Sequence, residues 1–358
     1  MVGFNFFAGV PMSFSSFLAS VGRSPALAVA ALLSLAVLFV NGWTDAPNAI
    51  ATAVSTGALS RRRAVRLAAV FNLLGVWVVT SRNASVALTV TRAVDFGGGR
   101  RALLALCAAM TAIVLWAVAA WCFGIPTSES HALAAGLAGA AVAAGGGLSA
   151  LNGSEWRKIA VGLVLSVALG FSLGFASSLA LGWASARWTK GAYTRRFRAG
   201  QIGGAAAMAF MHGAQDGQKF MAVFLLGGIL GGGGAVPTDL AVPPWLILLT
   251  AAVMAAGTAV GGRRILDKIG GEMVRLAPHQ GLAADAGSAL ALLVCSLFGI
   301  PAGTTHAKVT AMMGAAAAES RSRINGGVVR ELVATWLATF PGCGALGYLL
   351  CKLFLACL

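Results

Sequence analysis

Gly124-Ile-Pro-Thr-Ser-Glu-Ser-His131-Ala132 and Gly299-Ile-Pro-Ala-Gly-Thr-Thr-His306-Ala307 are nearly the same phrase, 175 positions apart, and each interrupts an apolar run. Of the seventeen residues that start at each glycine, seven are identical: Gly, Ile, Pro, His, Ala, Gly and Ala. Proline removes a backbone donor and clashes with the preceding turn, so a helix ends near it. Ser, Thr or Gly just beyond can cap a new helix. The free N–H groups and the positive dipole end of that helix point out of its start and make a ready anion site. A lipid-facing helix has no use for such a break, whereas a buried, ligand-lined one does. A plain proline kink, its freed groups re-satisfied by Ser and Thr, would account for a single copy. Two copies, each carrying a histidine, point to two helix starts aimed at one ligand. The donors would be Ser128, Ser130, Gly303, Thr304 and Thr305; Glu129 lies among them, an acid that repels an anion unless it is neutral or paired with a cation.

The surrounding composition sets the solvent. The chain has 358 residues, 58% hydrophobic and 10% charged. A soluble domain carries about 25% charged residues. Apolar runs recur along the whole length, many near the ~20 residues that span a bilayer. The expectation is an all-α polytopic membrane protein of about ten to twelve membrane segments, in a cell (plasma or inner) membrane. The net charge of +15 comes from Lys and Arg in short loops. There they orient the chain rather than bind nucleic acid. The six cysteines form no CxxC pair and read as small apolar residues, neither disulfides nor metal ligands.

Two halves follow from a second repeated element. Asn41-Gly-Trp-Thr-Asp45-Ala-Pro-Asn48 and His212-Gly-Ala-Gln-Asp216-Gly-Gln-Lys219 align at an offset of 171, so each half runs Asp motif first, Gly-Ile-Pro motif later. Residues 1–23 form an apolar, interfacial N-terminal segment, 24–183 a first membrane repeat and 199–358 a second. Between them lies a basic linker, 184–198, that is cytoplasmic by the positive-inside rule. Arg61-Arg62-Arg63 follows the first Asp motif, whereas 231–240 after the second holds no Lys or Arg. Equivalent loops on opposite faces mean an inverted repeat of broken helices with two re-entrant helical hairpins. The next pair of loops fits less well, since Arg263, Arg264, Lys268 and Arg275 face Arg92, Arg100 and Arg101.

A carboxylate at membrane depth costs at least ~3 kcal/mol and is usually functional. Asp45 has Asn48 nearby; Asp216 has Gln215 and Gln218. Carboxylate with amide and carbonyl oxygens is a ligand set for a hard cation. Asp45, Asn48 and Asp216 would then hold Na⁺. The alternatives are a proton carrier, or a plain ion pair between Asp216 and Lys219. Asn41, His131, His212, Lys219 and His306 read as supporting residues. Lys308 and Asp285 are lone charges near the second break and take no role. There is no Walker loop, Gly-x-Ser-x-Gly elbow or His-Glu-x-x-His, so neither catalysis nor ATP-driven transport is expected.

With these residues in hand, the chain resembles the inorganic phosphate transporter family of the Pit type. Asn41–Ala49 and His212–Phe220 look like its two signatures, and the Gly-Ile-Pro…His pair looks like its hairpin motifs. Phe71-Asn72, Gly257-Thr258 with Gly261-Gly262-Arg263, and Trp336-Leu-Ala-Thr-Phe-Pro341 fit as well, over nearly all of Ala26–Leu358. The resemblance implies uptake of inorganic phosphate on a Na⁺ or H⁺ gradient, with no cofactor beyond the coupling ion, in a homodimer. Some relatives carry sulfate. The family's Asn before each signature Asp is Thr44 and Gln215 here, Pro47 replaces a small residue, and Glu129 stands opposite Thr304. An anion channel or a membrane-embedded phosphotransferase would be the competing classes. The two acids weigh against the first, and the missing nucleophile–base pair against the second.

Overall fold

Glycine and proline punctuate an apolar chain, and the helices stop where they fall. The computed structural model describes residues 13–125, 127–232, 241–260 and 263–357. Most of the N-terminal segment, Pro126, the basic-free loop over 233–240, and Gly261-Gly262 lie outside the described residues. Among the described residues all regular structure is helical, with two isolated backbone bridges.

In the first half, α1 (Phe14–Arg23) leads into α2 (Pro25–Thr44), then α3 (Pro47–Ser55), α4 (Arg61–Thr80) and α5 (Ser85–Arg92). The hairpin helices α6 (Gly99–Cys122) and α7 (Glu129–Ala141) follow, then the long α8 (Gly153–Ser185). The second half holds α9 (Lys190–Gly231), α10 (Pro244–Val260), α11 (Arg263–Asp267), the hairpin pair α12 (Pro278–Leu297) and α13 (Thr304–Ala317), and α14 (Gly326–Cys357).

The two Asp motifs fold differently. Pro47 cannot donate to the Trp43 carbonyl, so α2 ends at Thr44 and α3 starts afresh at Pro47. Gln218 occupies the matching position in the second half and keeps its N–H. There α9 runs unbroken for 42 residues through Asp216. The apolar stretches 205–211 and 220–230, expected as separate halves of a broken helix, are therefore one helix. It also takes in the end of the basic linker, from Lys190 onward.

Both hairpins turn in the same way. Ile125 N–H donates to the Ala120 carbonyl and Gly124 N–H to Trp121; Ile300 donates to Cys295 and Gly299 to Ser296. Gly124 and Gly299 sit at φ 68° and 64°, the left-handed position after a helix end that glycine adopts without strain. The reversal lets α7 return along α6 and α13 along α12.

Helix packing also comes in matched pairs. α4 packs on α9 as α10 packs on α2, and α8 on α13 as α14 on α7. The bridge Val94–Leu151 has its counterpart in Val274–Ile324. Seven described helical segments are long and apolar enough to cross a bilayer, or eight if the bent pair 244–260 and 265–273 is one span. By length and composition these fall short of the ten to twelve expected; α3 is already part of the first of them, Pro25–Ser55. Leu32, Val164, Leu337 and Leu349 are more than 60% exposed, as a lipid-facing surface requires. The protein is a multi-pass membrane protein. Cys107, Cys295, Cys343 and Cys351 are buried, while Cys122 and Cys357 are exposed.

Small residues set the interhelical distance. A Cβ on Gly75 would lie 1.9 Å from the Phe210 carbonyl oxygen, and one on Gly257, at the matching contact, 2.1 Å from that of Phe39. Gly75→Ala should lower stability by about 1–3 kcal/mol, because backbone must move to admit the methyl. Gly203→Ala in α9, where a Cβ meets nothing within 4 Å, should be neutral or stabilising. Unfolding in detergent micelles compares the two.

Candidate functional site

The α2–α3 break, the middle of α9 and the tips of both hairpins converge on one buried cluster. Asp45 is 2% exposed and Asp216 fully buried. Two buried carboxylates need donors, and the second hairpin supplies them. Thr304 Oγ1 lies 2.9 Å from Asp45 Oδ2 and 3.1 Å from Asp216 Oδ2, bridging the two acids. Thr305 Oγ1 and Asn48 Nδ2 donate to Asp45 Oδ1. Asn41 Nδ2 donates to Asp216 Oδ2 at 3.1 Å.

His212, one turn before Asp216 on α9, sits between the acids. Its Nε2 is 3.5 Å from Asp45 Oδ2 and 3.3 Å from Asp216 Oδ2. Asn72 Oδ1 accepts from Nδ1 at 3.1 Å while Asn72 Nδ2 donates to Thr258, which fixes the ring and leaves Nε2 facing the carboxylates. Asp45, His212 and Asp216 offer ligand atoms within 4.8 Å of one another, close enough to share one cation. A proton or ion held there serves both acids at once.

Lys219 reaches out from the second Asp motif. Its Nζ is 2.6 Å from Asp216 Oδ1 and 2.8 Å from Ser130 Oγ on the first hairpin, and it also donates to the Ala302 carbonyl on the second. The expected Asp216–Lys219 ion pair thus exists, and it also ties both tips together. A pocket lined by Ser130, Lys219, Leu133, Ile159 and Pro301 adjoins it.

The remaining sequence candidates divide by place. Glu129 accepts from Thr44, and its other oxygen has no hydrogen-bond partner among the described residues. Ser128 caps α7 by accepting from His131 N–H at 3.4 Å; Gly303 caps α13, its N–H donating to Ser166 on α8 at 2.8 Å. His131 and His306 meet edge to face with centroids 4.4 Å apart, clamped by Phe340 and Trp336 of α14. Gln215 and Gln218 stand away from the carboxylates. Gln215 satisfies Ile300 O and Ala302 N of the second tip, and Gln218 satisfies Asn83 O and Ala87 N. Thr44, Asn72 and the carbonyls of Thr127 and Ala302 belong to the cluster without having been singled out as site residues. No residue-type signal marks a carbonyl.

The chain and its fold are similar to known proteins. A model of the Phosphate transporter family matches residues 41–347. The chain belongs to the phosphate transporter family. It is 35% identical to a "Probable low-affinity inorganic phosphate transporter" of Mycobacterium bovis over 90% of this chain and 76% of the relative. A Bacillus subtilis protein of the same description is 34% identical over 88% of this chain and 93% of its own length. A solved structure titled "The sodium-dependent phosphate transporter" superposes with a TM-score of 0.83 at 21% identity, covering 94% of this chain and all of its own. That likeness is one of fold. The family comprises transporters, not enzymes.

Within this family member the two unassigned charges form a second buried cluster. Lys308 and Asp285 are fully buried and ion-paired, and both bond Thr52 Oγ1 on α3, at 3.0 Å from Lys308 Nζ and 2.6 Å from Asp285 Oδ1. The first half has Met110 and Leu133 at the matching positions, 285 − 175 and 308 − 175. Removing one partner strands a buried charge, so Lys308→Leu alone should cost about 3–5 kcal/mol. Adding Asp285→Met should recover most of the loss. A double-mutant cycle on unfolding in micelles measures the coupling.

Proposed function

We propose that the protein is a secondary active transporter that takes up inorganic phosphate on a Na⁺ or H⁺ gradient by alternating access. The observation that carries this is the meeting of two hairpin tips, rich in hydroxyls and helix N-termini, with two buried carboxylates that compete for the same donors. Thr304 Oγ1 now lies within hydrogen-bond distance of both Asp45 and Asp216, its one proton shared between them. An anion arriving at Ser128, Glu129, Ser130, Gly303, Thr304 and Thr305 must displace those acids, and it is repelled by them. A cation held by Asp45, Asn48 and Asp216 neutralises the repulsion and frees the hydroxyls. Anion and cation then bind together or not at all, which is the requirement for coupled transport. Lys219, beside Ser130, supplies positive charge on the anion's side. The names of the curated relatives supply phosphate as substrate.

In this reading 24–183 and 199–358 are two inverted membrane repeats joined by the cytoplasmic linker 184–198. Residues 1–23 form an interfacial N-terminal segment, and both hairpins are re-entrant, with their tips near mid-membrane. Irregular backbone is tolerated at that depth only where protein buries it or a cavity lies beside it. The matched helix contacts and the matched hairpin turns support the repeat. One bundle would rock against the other around the tips, in a homodimer in the plasma or inner membrane.

Radiolabelled phosphate uptake into proteoliposomes, under Na⁺ and H⁺ gradients imposed in turn, tests the reading. Wild type should accumulate phosphate uphill under at least one gradient. Asp45→Asn and Asp216→Asn should each lose uphill uptake by more than ~10-fold, since each removes a charge that binds the coupling ion. Wild-type accumulation in both variants would remove the acids from the mechanism.

A further inference from the structure

The face opposite the basic linker carries arginines that the positive-inside rule does not call for. α9 starts at Lys190 in the linker and runs for 42 residues. At ~1.5 Å per residue that is about 63 Å, so Gly231 at its end lies across the bilayer. Arg23, which ends α1, and Arg100, in the first turn of α6, line one cavity with Gly231 and so share that far end. On the linker side basic residues are met by acids. Arg61 pairs with Asp267 at 2.8 Å, Lys268 with Glu331 at 3.0 Å and Arg323 with Glu319 at 2.7 Å. At the far end α1, α2 and α6 contain no Asp or Glu, and neither do 217–231 of α9 or 332–357 of α14. Asp95, the acid nearest Arg100 along the chain, accepts within its own loop from Gly97 N–H at 2.8 Å.

The cavity measures about 750 Å³, within the ~300–1,000 Å³ of sites that are mostly apolar with a few placed polar groups. Its charged residues sit at helix ends and its apolar ones deeper. Val29 lies more than a turn into α2 and Leu104 a turn beyond Arg100 in α6, facing Leu230 of α9 and Phe354 of α14. Val29 is 49% exposed, and Leu32, next on the same side of α2, is 66% exposed. The apolar wall therefore continues onto the lipid-facing surface of the helix. In a bilayer some lipid covers such a cleft in any case, and the guanidiniums decide which. Arginine is charged at every physiological pH, and its planar fork matches the oxygens of a phosphate. Two of them at the mouth, on elements that add no acid, favour a headgroup with net negative charge over a zwitterion.

We propose that this cleft between α2, α6, α9 and α14 binds one anionic phospholipid of the outer leaflet, its phosphodiester at Arg23 and Arg100 and an acyl chain along Val29, Leu104, Leu230 and Phe354. The choice of leaflet rests on the cytoplasmic linker of the reading above; the site itself does not depend on the transport mechanism. A free phosphate ion would use the arginines alone. The apolar walls and their opening toward lipid call for a headgroup with its chain attached. The lipid touches elements that also build the centre of the protein: α2 carries Asn41, α9 carries Asp216, and α6 is the first limb of the first hairpin.

Native mass spectrometry of the purified protein in micelles, titrated with phosphatidylglycerol, phosphatidylcholine or inorganic phosphate, tests the assignment. Wild type should retain one phosphatidylglycerol per chain, at least ~10-fold more tightly than phosphatidylcholine. Arg23→Gln with Arg100→Gln should abolish that preference. Val29→Trp, which fills the cleft from its exposed side, should weaken both lipids, and it keeps the test open if the arginine pair does not fold. Arg62→Gln with Arg195→Gln, the same change of charge on the linker side, should leave the preference intact. Equal affinity for the two lipids in wild type, or a preference unchanged in Arg23→Gln with Arg100→Gln, would overturn the proposal. So would a preference lost as fully in the linker-side pair, which would make the effect one of overall charge. Inorganic phosphate that displaces the lipid would make the mouth a free-anion site. A dimer that takes up no lipid and is split by Val29→Trp would make the cleft an interface between two copies of the chain. Either outcome also overturns the lipid site, and none of them bears on uphill uptake, which tests the transport reading separately.

Discussion

Two buried carboxylates are the constraint on which the site depends. Neither Asp45 nor Asp216 can be left unsatisfied at that depth, and helix backbone offers no spare donors for them. The donors come from four separate elements: Asn41 of α2, Asn48 of α3, Lys219 in the middle of α9, and Thr304 and Thr305 at the tip of the second hairpin. This is why the second hairpin must reach the centre. It is also why the supporting helices are rich in glycine, since α2, α4, α9 and α10 must approach closely enough for side chains as short as Thr and Asn to bridge them. Lengthening any of those contacts would strand a charge.

The two halves share a plan and differ at the points that carry charge. Pro47 against Gln218 breaks one helix and leaves the other whole. Asn48 against Lys219 exchanges a neutral amide for a fixed ammonium. Thr304 against Glu129 exchanges a hydroxyl shared between both acids for a third carboxyl, bonded on one oxygen to Thr44 and, among the described residues, without a hydrogen-bond partner on the other. Asp285 and Lys308 against Met110 and Leu133 put an ion pair where the first half has apolar packing. A symmetric site would bind its ligands equally in both halves. These substitutions give each half a different charge.

Much of this was legible in the chain itself. Proline, glycine and the spacing of the repeated motifs mark the helix ends, because backbone chemistry acts locally. The acids at membrane depth mark the centre, because their burial is costly wherever they sit. The continuity of α9 was less legible, since a glycine-flanked Asp reads as a break until the missing proline is weighed. The roles of Gln215 and Gln218 were not legible at all. An amide beside an acid looks like a ligand, yet both glutamines satisfy loop backbone across a helix interface. Sequence neighbours on a helix point about 100° apart, so adjacency to Asp216 did not bring them to its carboxylate.

In the proposed reading, coupling follows from competition for a few donors rather than from any dedicated gate. The hydroxyl that bridges the acids, Thr304, belongs to the same tip that would receive an anion. While the acids hold it, the tip is satisfied and the anion is repelled. When a cation takes over one acid, the hydroxyl is released and the repulsion falls in the same step. Neither ligand can exploit the site alone, because each removes the obstacle to the other. That reciprocity is a coupling free energy between sites, and here it needs nothing longer-ranged than a shared hydrogen bond.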